Sequence, residues 1–372
     1  MQENSRMDRR KFLRMAGLAG MAVVGAACAP AAAPTPTPTK APAAATTSPA
    51  GTSAPASLKP EQIQAQLYEA AKKEGQVLVY ATGTTKDMDD YRKVFTKTYP
   101  GIEIKEYMGT GEQIIEKMTT ELKAGKVNDD FFAVPLEQWV QVLENGLAEK
   151  YDFPEKGQFP ADAVDPNGFY VVEFAVLHVM SYNTQMVPAA EAPKSYDDLL
   201  KPFFKGKVGL EPQCYSWFSQ QIKIAGKDKV TEWAKKFSAQ QPKFIKGHTT
   251  IADAVVSGEV AAAVTVYQHR VEQQKDKSAP VEWVAVQPVS CDPVAVGIAK
   301  GAPHPNAAKL FANWRISPEG QKVTYEVQQR YPFRKGIDLP KQLQIKVAVP
   351  SLETARSAQE SAKLFKEIFG LI

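Results

Sequence analysis

Residues Val171 to Leu210 read VVEFAVLHVMSYNTQMVPAAEAPKSYDDLLKPFFKGKVGL. The opening run is apolar and β-branched and suits a strand covered on both faces. Tyr182-Asn183-Thr184 ends it. Pro193 and Ser195 then open a short helix, because proline lacks the donor that a first turn wastes and serine can cap it. Lys205-Gly206-Lys207 turns the chain into another strand, Lys207 to Leu210. Nothing in the stretch is catalytic in character. It reads as a crossover between two halves of a molecule.

The two sides of the crossover support that reading. Before it, a helix from Pro60 to Glu74 leads to strands at Val77–Tyr80, Ile102–Tyr107 and Phe131–Val134. Helices from Lys86 and Glu112, and one beginning at Pro135, alternate with those strands. After it come helices at 216–224, 230–239 and 251–257 and strands at 261–266, 281–286 and 294–299. Helices at 303–316, 318–328 and 352–369 end the chain. Such alternation means parallel βαβ units, and 372 residues suffice for two of them. The expected fold class is α/β, with two lobes, a hinge of crossover strands and a central cleft. Ligands of such sheets sit outside the carboxyl ends of the strands.

The first 58 residues are of another kind. Arg6, Arg9, Arg10, Lys11 and Arg14 face only Glu3 and Asp8, so most of the net charge of +4 lies here. The remainder has no basic field that would call for nucleic acid. Asp8 to Arg14 resembles a twin-arginine export motif. The apolar run Met15 to Ala27 is shorter than a membrane-spanning helix requires and reads as the core of a signal peptide. VGAAC at 24–28 resembles a bacterial lipobox, which makes Cys28 the expected lipidation site. Ala29 to Ser57 is Ala, Pro, Thr and Ser apart from Gly51 and one charge, Lys40. It forms no core and suits an extended tether. Residues 1–27 are thus expected to be signal and 28–58 tether. Lobe I is expected to be 59–177 with 289–338, and lobe II 178–288 with 339–372. Cys214 and Cys291 are the remaining cysteines, and sequence leaves their pairing open.

Candidate ligand contacts follow from the strand ends. Thr82-Gly83-Thr84 and Thr110-Gly111 lie between a strand and a helix, where free N–H groups and hydroxyls favour anions. For each taken alone, a tight turn with a helix cap is the favoured reading. Tyr215, Ser216 and Trp217 open a helix after a strand, as stacking and hydrogen-bonding groups. Tyr267 and Arg270 follow the strand 261–266. Gln268 and His269 lie between them, and His269 is expected at the surface. His178 lies within the apolar run and is expected to be a buried structural histidine. Asp292 is expected either at a ligand amine or in a turn. No nucleophile elbow, zincin motif or phosphate loop is present, and the four histidines lack metal-ligand spacing. No enzymatic activity and no resident cofactor are expected.

The chain resembles the extracellular solute-binding proteins of bacterial ABC importers, in the branch of ferric-ion, thiamine and aminoethylphosphonate binders. The crossover stretch carries the resemblance most closely. VSGEVAAAV at 256–264, GAPHPNAAKLF at 301–311, SPEGQ at 317–321 and YPFR at 331–334 extend it over nearly all of 60–372. It implies a type II periplasmic-binding fold that closes by hinge bending. It also implies partners in a membrane permease and its ATPase, and an extracytoplasmic place, with the lipid anchor as the membrane link. The receptor is expected to be a monomer. Ferric members of this branch use adjacent tyrosines, where this chain has Tyr267 followed by Gln268, and Val134-Pro135 occupies the region of their glutamate. Ferric iron wants several anionic oxygens, so the preferred ligand is a small organic anion, balanced by Arg270. Ferric ion is the alternative, with Tyr267 as its ligand, and a secreted enzyme on the same fold is the reading from another class.

Overall fold

The computed structural model describes residues 58–371, and the expected signal segment, Cys28 and most of the expected tether lie outside them. The first described part runs α1 (Pro60–Glu74), β1 (Gln76–Ala81), α2 (Thr85–Thr98), β2 (Glu103–Met108), α3 (Gly111–Lys123) and β3 (Phe131–Pro135). It continues with α4 (Trp139–Glu144), β4 (Ala148–Glu149) and the long strand β5 (Val171–Asn183). Next come β6 (Val208–Leu210), α5 (Tyr215–Ala225), α6 (Lys227–Ser238), β7 (Lys243–Phe244), α7 (His248–Ser257), β8 (Ala262–Tyr267), α8 (Gln268–Lys275) and β9 (Val281–Val284). The chain returns along a second long strand, β10 (Val289–Ala299), and ends with α9 (Pro305–Ile316), α10 (Pro318–Lys322), β11 (Tyr331–Pro332), β12 (Val347–Ala348) and α11 (Leu352–Phe369).

The sequence explains where these elements start and stop. Thr84 and Thr110 are N-caps: their hydroxyls accept the backbone N–H groups of Asp87 at 3.2 Å and Gln113 at 3.3 Å. Gly75 and Gly370 end α1 and α11 in the left-handed region, at φ 73° and 65°. Three expectations need correcting. The helix expected at 318–328 is α10 followed by a π-turn at Val323–Val327. The helix expected after Pro193 is a 3₁₀ turn, Tyr196–Leu200. Tyr267 to Arg270 is no loop: Tyr267 ends β8 and α8 begins at the next residue.

Strand order is β2-β1-β3-β10-β5-β8-β6-β7. β1 runs parallel to β2 and β3, and β8 and β7 run parallel to β6, as the two sets of βαβ units require. β10 and β5 cross between them, antiparallel to each other. β5 changes partner along its length. Its residues up to Leu177 pair with β10, and from His178 onward it pairs with β8 and β9. Almost every β5 residue is buried, as expected for a strand covered on both faces. This is the two-lobed α/β architecture with crossover strands at its centre.

Packing is dense where the strands cross. Gly297 on β10 admits the Trp139 ring, and a Cβ there would lie 2.3 Å from it. Glu173 on β5 forms a bidentate ion pair with Arg315 on α9, both contacts at 2.6 Å, with both side chains buried. The Arg315 guanidinium also lies 3.7 Å from the centre of the Tyr91 ring. Such a pair tolerates burial only because each charge meets its partner. Cys214 and Cys291 are both free and buried.

Candidate ligand site

A cavity of about 290 Å³ opens at the carboxyl ends of β1, β3 and β8, which is small for a ligand pocket. Thr82 and Gly83 from the β1–α2 turn and Glu137 just past β3 line one part of it. Phe174 and Val176 of β5, Asp292 of β10 and Tyr267 of β8 line another. Ser216 and Gln220 on α5, Arg330 before β11, and Thr354, Ala355 and Ala358 on α11 complete the wall.

Asp292 is the centre of its polar network. Its Oδ2 accepts His178 Nε2–H at 2.8 Å and the Tyr267 hydroxyl at 3.4 Å, and its Oδ1 accepts the Ser216 hydroxyl at 2.8 Å. Gln220 donates to Ser216 Oγ at 3.0 Å and bonds both backbone groups of Cys291, which fixes the strand beside the carboxylate. Burial alone would raise the pKa of Asp292. The His178 charge and hydrogen bond, with Ser216, overcome it and hold the carboxyl down at about 2. Asp292 is therefore an anion at neutral pH, and about a quarter of its side chain is still reached by solvent. Glu137 shows the opposite shift. Its side chain is still exposed, but desolvation by the surrounding protein, then the Asp292 charge, push its pKa up.

Arg330 supplies the positive pole. One of its terminal nitrogens donates to Asp87 Oδ2 at 3.0 Å, beside the Gly83 turn, and its Cζ lies 4.8 Å from the centre of the Phe174 ring. Gly83 has φ 122°, and a Cβ there would meet Asp87 Oδ2 at 3.1 Å, so the turn suits glycine. Asp292 stands opposite Val176 in the β5–β10 register. Phe174 and Val176 lie on one face of β5, two residues and roughly 7 Å apart. The negative and positive poles are thus spaced along one strand face.

Aromatic rings cluster around Tyr267. His248 lies 4.4 Å from Tyr267 and 5.3 Å from His178, His178 lies 5.7 Å from Tyr267, and His269 lies 5.8 Å from Tyr267. Burial pushes His248 and His269 down to about 4 and pushes the Tyr267 phenol well up. His269, expected at the surface, is packed beside Tyr267, and its Nδ1 is buried without a partner.

Of the residues singled out in the sequence, Thr82, Gly83, Ser216, Tyr267 and Asp292 meet at the cavity. The others are placed elsewhere. Thr84 and Thr110 cap helices, and Gly111 packs on Gln138, which would lie 2.7 Å from a Cβ there. The Tyr215 ring leans on Phe365. Trp217 is in the core and donates to the Tyr196 hydroxyl at 3.0 Å. Arg270 reaches Asp253 on α7 at 2.9 Å. Glu137 and Arg330 were missed. Glu137 carried a usable signal, since it lies two residues past the end of a parallel strand. Arg330 carried none, because its partners Asp87 and Phe174 are distant in sequence.

Comparison with known proteins agrees with this geometry. The family of bacterial extracellular solute-binding proteins matches residues 90–351. The Iron uptake protein A1 of Synechocystis is 24% identical over 68% of this chain and 74% of its own. The Gamma-aminobutyric acid-binding protein of Pseudomonas aeruginosa is 26% identical over 74% of this chain and 82% of its own. Iron-bound HitA from Pseudomonas aeruginosa superposes with a TM-score of 0.67 at 20% identity, covering 79% of this chain and 99% of its own. The chain belongs to the bacterial extracellular solute-binding proteins, the solute receptors of ABC importers, and has their type II periplasmic-binding fold.

Proposed function

We propose that the receptor captures a short solute carrying an ammonium at one end and an acid at the other, and delivers it by lobe closure to the permease of its importer. One observation carries this reading: the cavity is lined by both an ionised Asp292, which stands opposite Val176 of β5, and Arg330, whose guanidinium lies over the ring of Phe174 on the same strand. The ammonium lies against Asp292, with Glu137 adding negative charge. The acid lies against Arg330 and the Thr82-Gly83 turn. The acid group is the one expected from the sequence, but Arg330 takes the part first given to Arg270, because Arg330, although paired with Asp87, lines the cavity and Arg270 does not. The relative that binds gamma-aminobutyric acid has a ligand of this class.

Ferric ion is the second reading, favoured by the oxygens of Tyr267, Asp292 and Glu137 at one cavity and by the iron-binding relatives. It is weaker on chemistry. The Tyr267 phenol resists ionisation, and no group of three or more His, Cys, Asp or Glu among the described residues is placed to hold a metal. A thermal-shift panel of ω-amino acids, diamines, dicarboxylates and ferric citrate tests the choice. Stabilisation by ω-amino acids supports the reading. Stabilisation by ferric citrate alone, with a visible tyrosinate band, overturns it.

Binding without turnover completes the proposal. The lobes are taken as 59–177 with 289–338 and 178–288 with 339–372, hinged where β5 changes partner at Leu177–His178. Export through the twin-arginine segment, lipidation of Cys28 and the 28–58 tether would hold the receptor, as a monomer, at the outer face of the membrane. Metabolic labelling with a fatty-acid analogue tests the anchor: label absent from Cys28→Ala supports it, and equal label in both proteins sinks it.

A further inference from the structure

We infer that the N-terminal half of α11 is the wall that sets how long a solute the cavity accepts, with Ala355 and Ala358 as the gauge. The inference rests on the receptor reading above and extends it to ligand size. Thr354, Ala355 and Ala358 share one helix face and line the cavity. Asp292 and Arg330 are carried by other elements, so this wall holds neither pole of the cavity. The helix is held from its other end. Phe365 packs against Tyr215 and Phe218, with ring centres 5.7 and 5.3 Å away, and Phe369 against Phe237 at 6.4 Å.

The first turn is fixed as well. Ser351 accepts the Thr354 N–H at 3.2 Å, and the Ser219 hydroxyl donates to the Thr354 carbonyl at 3.4 Å. The Arg356–Glu144 contact at 3.3 Å is exposed on both sides and contributes little. Aromatic packing, not that ion pair, therefore fixes the helix. A side chain enlarged at 355 or 358 has the cavity in front of it and a pinned backbone behind it. Leucine keeps the helix, since its propensity is close to that of alanine.

The test is calorimetry on wild type, Ala355→Leu, Ala358→Leu and Ala358→Gly, with ω-amino acids of rising chain length. Parallel series of diamines and dicarboxylates are run, and urea midpoints verify folding. Wild type is expected to bind up to a limiting length. Either leucine variant should lose the longest members by ~tenfold or more and keep the shortest within about twofold. Ala358→Gly should move the limit up. Uniform loss across lengths, or no change of limit, overturns the inference. If a series other than the ω-amino acids binds wild type, the charge reading fails while the length limit is tested on that series. If no series binds, the length gauge is overturned too.

Discussion

Replacing Asp292 by asparagine separates what its charge does for binding from what it does for stability. In the wild type, three donors converge on the carboxylate: His178 Nε2, Tyr267 OH and Ser216 Oγ. An amide offers one oxygen to them and turns an N–H₂ toward the rest, leaving at least one buried donor without an acceptor. Such an orphan costs about 1–3 kcal/mol. The pH dependence sharpens the estimate. The folded carboxyl lies at about 2 against a usual value of 3.8, which corresponds to about 2 kcal/mol of stability. Because the folded value is depressed, that contribution is present above about pH 4 and is lost as pH falls toward 2. Asp292→Asn should therefore be less stable than wild type at pH 7, and the gap should shrink by about 2 kcal/mol on going to pH 2. Urea titrations at both pH values measure this. Ammonium binding should weaken roughly ten- to hundredfold at pH 7, the worth of a hydrogen bond to a charged group. A stability gap independent of pH, or unchanged affinity for an amine-bearing solute, would refute the assignment.

Further outcomes are expected from the same geometry. The Glu137 carboxyl is raised by burial and by Asp292, so it loses its charge first as pH falls, and affinity for a cationic group should decline through that range before Asp292 titrates; calorimetry from pH 7 to 4 checks it, and Glu137→Gln should flatten the decline. Arg330→Gln should weaken binding of the acid end by roughly tenfold or more, whereas Arg270→Ala should leave affinity unchanged, since Arg270 faces Asp253. Glu173→Ala should cost about 3–5 kcal/mol in a urea titration by stranding the Arg315 charge in the core.

The sequence showed the scaffold well because its signals are local. The β-branched run at 171–183, proline before α9 and α10 and threonine before α2 and α3 each act within a few residues. Tyr267 and Asp292 could be found at strand positions by the same logic. Other site residues depend on distant partners. Arg330 enters the cavity through contacts with Asp87 and Phe174, which no periodicity relates to it. Arg270 was misplaced because the helix begins at Gln268: at 3.6 residues per turn the chain rotates away from the β8 direction, toward α7. Trp217 was misplaced because an aromatic residue in a first turn looks the same whether it faces a ligand or a core, and here it faces Tyr196 and Trp233. Whether His178 is structural or functional could not be read from its apolar neighbours, since its role comes from Asp292 across the strand pair.

The central claim is that both ends of the solute are recognised. The most direct measurement is a calorimetric titration of wild type with 4-aminobutyrate beside butyrate and butylamine, which keep only one end each. The account predicts binding of the amino acid and at least tenfold weaker binding of either single-ended compound, as expected when a buried charge loses its partner. Equal binding of one single-ended compound, or response to ferric citrate alone, would contradict it.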